Sequence, residues 1–174
     1  STTDGGKKWV RGNTGTDKYI VDLSFVDEKH GFSVGESMTM LKTVDGGKKW
    51  ESMIKEEAKR DVHLSGVWFV DPLCGWVVGE FSTILSTTDG GKTWKDQECE
   101  DLIPKVDETK WEEPMPGLLN VYFLNRNRGW IQGMDGVMLM TENGGEKWRK
   151  LPLPTDKCLY NMQMLRNYGW MVGD

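Results

Sequence analysis

Few side chains in this sequence are placed to break bonds. Glu80 and Asp135 lie in the corresponding short reversals of successive segments, and two carboxylates held roughly 5–9 Å apart could hydrolyse a glycosidic bond. The arginines that could clamp a substrate carboxylate are Arg11, Arg60, Arg126, Arg128, Arg149 and Arg166. Such a clamp would also need a Tyr/Glu nucleophilic pair and an acidic Asp beside it, and three of these arginines fall in short loops away from both acids. His30 and His63 are the two histidines and sit in unlike segments. Cys74, Cys99 and Cys158 form no C-x-x-C pair, so nothing has the spacing of a metal site. The expectation is no catalytic residue, no metal and no cofactor.

Binding chemistry is better represented. Residues 95–117 hold eight acids against three lysines, a net of -5 that equals the charge of the whole chain. Within them Trp111 is followed by Glu112, Glu113, Pro114, Met115 and Pro116, an acidic arm with an aromatic anchor for a partner; a solvated surface loop is the competing reading. Glu80 and Phe81 in one short reversal, and Asp135 in the next, are further candidates, because binding residues concentrate on loops carried by a rigid scaffold. Arg126 and Arg128, joined by Arg166, would make a small basic patch for an acidic partner, or else are solvated turn residues. A stacking platform for sugars or bases would rest on Trp68 and Trp111, since the other seven Trp recur in motifs. Met138, Met140, Met162 and Met164 sit in strand-like positions and read as core.

The elements that position these residues are repeats. Thr3-Asp4-Gly5-Gly6-Lys7-Lys8-Trp9 returns around Asp45 and Trp50, around Asp89 and Trp94, and around Asn143 and Trp148. Between these copies stand Gly31-Phe32-Ser33-Val34-Gly35, Gly75-Trp76-Val77-Val78-Gly79, Gly129-Trp130-Ile131-Gln132-Gly133 and Gly169-Trp170-Met171-Val172-Gly173. The first Gly of this second motif precedes the following motif Trp by the same interval each time, from Gly31 to Trp50, Gly75 to Trp94 and Gly129 to Trp148. The return from Trp to the next Gly varies instead, being longest from Trp94 to Gly129 and shortest from Trp148 to Gly169. One half of each unit is therefore rigid and the other bears loops.

Each unit reads as four strands. One ends at residues 23–26, 67–70, 121–124 or 162–165, the Gly-rich motif is the second, an alternating run such as 83–87 is the third, and the residues after each motif Trp are the fourth. Asp-Gly between alternating runs is a strong hairpin signal, because Gly supplies the turn's positive φ. The intervals from Trp9 to Trp50, Trp50 to Trp94 and Trp94 to Trp148 match β-propeller blades. No segment sustains a helical period. The fold expected is all-β: a β-propeller segment over residues 1–174 with about four blades of four antiparallel strands, three whole and one split. Joining Asp174 to Ser1 would leave Gly169 closer to Trp9 than the constant interval of the other units. The expectation is an incomplete stretch of a larger ring, since open strand edges invite pairing. In such blades the Asp-Gly-Gly hairpins share a face with residues 27–30, 71–74, 125–128 and 166–168; the variable loops and the reversals at 36–37, 80–82 and 134–135 lie on the other.

The run from Ser86 to Trp94 resembles a complete Asp-box, the bacterial neuraminidase repeat, with three near copies elsewhere. Coupled to Gly-Trp-x-Val-Gly at this spacing, it resembles the photosystem II stability/assembly factor family over nearly the whole chain. The resemblance implies a seven-bladed type of ring. It also implies structural Asp-box roles for Asp4, Asp45, Asp89 and Asn143, bonding their own turns, and for Trp9, Trp50, Trp94 and Trp148, packing between strands. Asn143 keeps an acceptor oxygen. Lys42, Ser86 and Met140 stand where photosynthetic members place Arg, which points to a bacterial relative serving another complex. The function implied is a non-catalytic scaffold binding protein partners; the alternative is a carbohydrate-binding or sialidase-like propeller.

Net charge -5 and pI near 5.2 argue against nucleic acid as partner and against anionic membrane surfaces. No apolar run approaches the roughly 20 residues of a membrane span, leaving association through a partner. The sequence opens inside a motif at Ser1, with no initiator Met and no signal peptide, and is expected to be a processed chain or a fragment. An exported location, periplasmic, extracellular or lumenal, is what the resemblance implies.

Overall fold

The computed structural model describes residues 1–55, 60–103, 115–165 and 168–174. The described residues form fourteen strands. Blade one comprises β1 (Ile20–Phe25), β2 (Gly31–Gly35), β3 (Thr39–Thr43) and β4 (Glu51–Ser52); blade two, β5 (Leu64–Phe69), β6 (Gly75–Gly79), β7 (Ile84–Thr87) and β8 (Lys95–Gln97). Blade three comprises β9 (Leu118–Phe123), β10 (Gly129–Gly133), β11 (Met138–Thr141) and β12 (Arg149–Lys150), and a last sheet pairs β13 (Leu159–Leu165) with β14 (Tyr168–Gly173). Within each sheet consecutive strands pair antiparallel. The fold is all-β, with three complete four-stranded blades and one partial one. The fourth strands are shorter than the sequence suggests: β4 spans two residues. The hairpin of residues 1–10 forms no assigned strand and is closed by a reciprocal Ser1 and Val10 backbone pair.

The first strands of successive blades lie side by side, β1 on β5, β5 on β9 and β9 on β13. The Gly-rich motif explains how the blades pack so closely. A Cβ on Gly31, Gly75 or Gly129 would run into the ring of Phe25, Phe69 or Phe123, which lies across its cross-strand partner. At the motif's other end, a Cβ on Gly35, Gly79 or Gly133 would meet the carbonyl of Tyr19, His63 or Gly117, where the first strand bulges.

Freed of Cβ atoms beneath them, those Phe rings become the mortar between blades. Phe32 stacks on Phe69 and Trp76 on Phe123, centroids 3.4 Å apart in both. The Asp-box Trp then closes edge-on: Trp94 against Phe69, Trp148 against Phe123 and Trp50 against Phe25. Burying each large apolar side chain contributes about 1.5–3 kcal/mol, so these stacks fix the spacing of neighbouring blades. At the two ends of the arc the same positions are bare. Trp170 is 58% exposed where Trp76 is 2%, and Phe25 is 44% exposed where Phe123 is 2%.

Candidate protein-binding face

The Asp-box turns are internally wired. The Thr43 hydroxyl donates to Asp45 Oδ1 at 2.8 Å and accepts the Gly47 N–H at 2.9 Å, while Asp45 Oδ1 accepts the N–H groups of Lys48 and Lys49 at 3.0 Å. The same arrangement recurs with Thr2 and Asp4, Thr87 and Asp89, and Thr141 and Asn143. These bonds hold the carboxyls of Asp4, Asp45 and Asp89 below the usual range, through the Lys8 N–H, the Lys49 N–H and the Thr93 hydroxyl respectively. A Thr two residues before each Asp or Asn is part of the motif. The sequence reading missed it, although its identical placement in all four copies was the signal.

The three hairpins of the complete blades each touch the neighbouring loop of their own blade, the N–H groups of Gly46, Gly90 and Gly144 donating to the carbonyls of Lys29, Leu73 and Asn127. On this face Arg126 pairs through Nε with Asp71 of the previous blade at 2.8 Å, and Arg128 lies over the Trp130 ring at 5.2 Å. Burial raises the Asp71 carboxyl, but Arg126 and the N–H groups of Leu73 and Cys74 outweigh it and leave it lowered. Both arginines of the expected basic patch are thus engaged in local contacts, and Arg166 lies outside the described residues. Asp27, held down to about 2 mainly by the His30 N–H, and its partner His30 are on this face as well.

The opposite face is differently made. Its three reversals place paired residues in the left-handed region, Ser37 with Met38, Phe81 with Ser82, and Asp135 with Gly136, at φ between 51° and 63°. Five of the six carry side chains, a conformation that costs energy and persists only where surroundings impose it. At Phe81 the surroundings are explicit. Ser82 donates both its N–H and its hydroxyl to the Pro116 carbonyl at 3.0 Å, and the preceding Glu80 N–H donates to the His63 carbonyl at 3.0 Å. The turn is pinned on both sides while the Phe81 ring stays 58% exposed.

Phe81 borders a groove of 580 Å³ floored by Ile84, Cys99 and Met115 and edged by Ile103, Glu98 and the Arg60–Asp96 ion pair, 2.9 Å long. A second cavity of 790 Å³ includes Asp135, Asp101, Asp156 and the segment from Leu151 to Pro154. The Glu100–Leu102 turn divides the two, Cys99 and Ile103 facing one and Asp101 the other. This start of residues 95–117 is no free loop: Cys99 and Leu102 are buried in the core between blades two and three, and Asp101 accepts the Lys150 N–H at 2.9 Å. Trp111, Glu112 and Glu113 lie outside the described residues. Glu80 accepts the His63 N–H at 3.0 Å and lines neither cavity, so its surroundings differ from those of Asp135. Arg60, Ile103 and Gln97 join the face unannounced by any repeated motif. Trp9, assigned a packing role by the resemblance, is 72% exposed, and among the described residues no Phe meets it as Phe25, Phe69 and Phe123 meet Trp50, Trp94 and Trp148.

Four-stranded blades, Asp-box hairpins and inter-blade aromatic stacking define a β-propeller of the bacterial neuraminidase repeat type. The family described as "Photosynthesis system II assembly factor YCF48" matches residues 2–108 and 57–158, and the chain belongs to it. The Photosystem II assembly lipoprotein Ycf48 of Prochlorococcus marinus is 42% identical over 43 residues, 25% of this chain and 13% of that protein. The Photosystem II assembly protein Ycf48 of Thermosynechococcus vestitus is 50% identical over 32 residues, 18% of this chain and 9% of that one. Among solved structures, YCF48 bound to D1 peptide superposes with TM-score 0.68 and 28% identity, covering 84% of this chain and 44% of that one. YCF48 from Cyanidioschyzon merolae gives 0.66 at 19% identity over 93% and 51%, and an ancestral GH74 enzyme 0.62 at 10% over 87% and 21%; these two share the fold. The chain thus spans about half the length of the solved YCF48 chains.

Proposed function

We propose that this chain is the protein-binding stretch of a non-catalytic assembly factor, holding a segment of a partner protein on its variable-loop face. The observation that carries the reading is the groove edged by Phe81, an exposed aromatic fixed on a doubly pinned turn. Preorganised aromatic anchors supply affinity because little freedom is lost when they bind. Family membership supports it, as does the similar YCF48 structure bound to a D1 peptide. The photosynthetic Arg positions are here Lys42, Ser86 and Met140. Lys42 reaches the Gly90 carbonyl at 3.4 Å and Met140 Sδ meets the Arg149 guanidinium, which supports a partner other than a photosystem subunit.

The bare stacking positions at Trp170 and Phe25 support a larger ring in which further blades cover them. An exported location is in keeping with the lipoprotein among the relatives; no described helix is long and apolar enough to cross a membrane. The test is affinity capture from the native source with wild type and Phe81→Ala, alongside a glycan array and aryl-glycoside hydrolysis assays. A stoichiometric protein partner lost with Phe81→Ala is the expected result. Glycan retention or turnover with no protein partner would overturn the reading in favour of a carbohydrate-active propeller.

A further inference from the structure

The groove beside Phe81 and the cavity containing Asp135 also carry information about what fills them. Five acids line them, Asp96 and Glu98 in one, Asp101, Asp135 and Asp156 in the other, against Arg60 and Lys150. Arg60 is already paired with Asp96. Glu98, Asp135 and Asp156 have no ion-pair partner among the described residues. The apolar part is equally defined: Phe81 and Ile103 are exposed at the groove's edge, and Ile84, Cys99 and Met115 floor it. The single aromatic ring at either cavity among the described residues is that of Phe81, which gives no pair of planar surfaces for stacking sugars or bases. The carboxylates would repel phosphates.

Resting on the protein-binding reading above, we propose that the occupant is a basic, apolar peptide segment. A large apolar side chain of the partner packs beside Phe81 over Ile84 and Met115. Its Lys or Arg side chains reach Glu98 in the same groove, and Asp135 and Asp156 across the Glu100–Leu102 turn. Apolar burial supplies the hold and the carboxylates supply the choice of partner, because opposite potentials steer encounter and like charges exclude wrong sequences. The pinned turn under Phe81 and the buried Cys99 and Leu102 beneath the dividing turn keep both cavities preformed.

Two fluorescein-labelled peptides test this by anisotropy: one alternating Leu with Lys, the other with Glu in place of every Lys. The Lys peptide is expected to bind with an affinity that falls as salt is raised, and the Glu peptide to fail. Phe81→Ala should weaken the Lys peptide by about tenfold, the size of an ordinary anchor truncation, and Glu98→Lys combined with Asp135→Lys should do the same. Lys29→Glu, on the opposite face, should leave it unchanged. All four positions are exposed, and circular dichroism checks each variant's fold. Equal binding of both peptides, no binding of the Lys peptide, or indifference to Phe81→Ala overturns the proposal. If a native partner is lost with Phe81→Ala while neither peptide binds, the chemistry assigned here fails and the protein-binding reading stands; if the native partner survives Phe81→Ala, the face itself is wrong.

Discussion

Replacing Gln97 by Met should destabilise the chain through two hydrogen bonds and little else. Between blades two and three, Gln97 Oε1 accepts the Trp148 indole N–H at 3.2 Å and Gln97 Nε2 donates to the Gly144 carbonyl at 3.0 Å, where the Trp76 indole N–H also donates at 3.1 Å. Between blades one and two the residue at the same place is Met53: a Cβ on Gly91 would strike it, as one on Gly145 would strike Gln97. There, among the described residues, the Trp94 indole nitrogen is buried with no partner and the Gly90 carbonyl receives a single Lys42 contact at 3.4 Å. Met and Gln are close in volume, so packing survives the exchange. Two lost bonds at about 0.5–1.5 kcal/mol each, with an indole N–H left buried, amount to about 1–3 kcal/mol, less what Met recovers in apolar burial. At a urea slope of about 2 kcal/mol per molar, the unfolding midpoint should fall by up to roughly 0.5–1.5 M. Urea titrations followed by tryptophan fluorescence and circular dichroism measure it. The reciprocal Met53→Gln should raise the midpoint by giving Trp94 an acceptor. An unchanged midpoint in Gln97→Met, or a fall in Met53→Gln, would refute the account of these junctions.

Gln132 is fully buried with neither amide atom bonded among the described residues, and Val34, Val78 and Val172 hold its place in the other motifs. Gln132→Val should therefore raise the urea midpoint, by relief of about 1–3 kcal/mol of unmet hydrogen bonding. A fall would show that the amide has a partner. Gly129→Ala should lower stability by several kcal/mol, since the new Cβ meets a Phe123 ring already held by Trp76 and Trp148; thermal melts against Gly5→Ala, whose Cβ has open space, check that the loss is packing rather than backbone strain alone. Acid should unfold the chain through its hydrogen-bonded carboxylates. Asp4, Asp27, Asp45, Asp71 and Asp89 have folded pKa values below the ordinary 3.8, so the stability they contribute is full above pH about 4. It is lost as pH falls through their folded values toward about 2, the value for Asp27. Urea midpoints measured down that range should drop, and Asp89→Asn should drop less steeply; a flat profile would contradict the lowered values.

What the sequence made legible was set by spacing. The constant interval from Gly to Trp reflects a hairpin pair whose register admits no insertion, so the second and third strands and the turn between them could be placed closely. The recurrence of Gly followed by Phe or Trp, at Gly31, Gly75, Gly129 and Gly169, marked the second strand of every blade. The fourth strands were less legible: β4 and β12 span two residues each, too few to show a period. The insertion at residues 95–117 misled by its charge, since eight acids conceal that Cys99 and Leu102 dip into the core. The contrast between Met53 and Gln97 was visible as the third residue after each motif Trp, but its meaning lies in the next blade's indole, a contact no local pattern reveals. Arg126 and Arg128 looked alike as cations in one turn. Their partners, a carboxylate of the previous blade and the ring of Trp130, separate them.

The junction between blades two and three bears on the rigidity of the candidate face above it. A repeat array is held by each unit and by its interface with the next, so a binding surface that bridges two blades is only as rigid as the junction beneath it. The junction between blades two and three has the Trp76–Phe123 stack, the Gln97 bonds, the Arg126–Asp71 ion pair and the Cys99–Leu102 plug. The junction between blades one and two has a matching aromatic stack and two bonds from β5, the Val67 N–H to Asp22 at 2.9 Å and the Phe69 N–H to the Ser24 hydroxyl at 3.3 Å; each junction has one buried indole nitrogen without a partner among the described residues, Trp94 here and Trp68 at the next. The groove beside Phe81 and the cavity containing Asp135 lie over blades two and three, and Gln97, which bonds the two, lines the groove itself. Stability and recognition thus draw on the same strand, β8, whose outer continuation divides the two cavities.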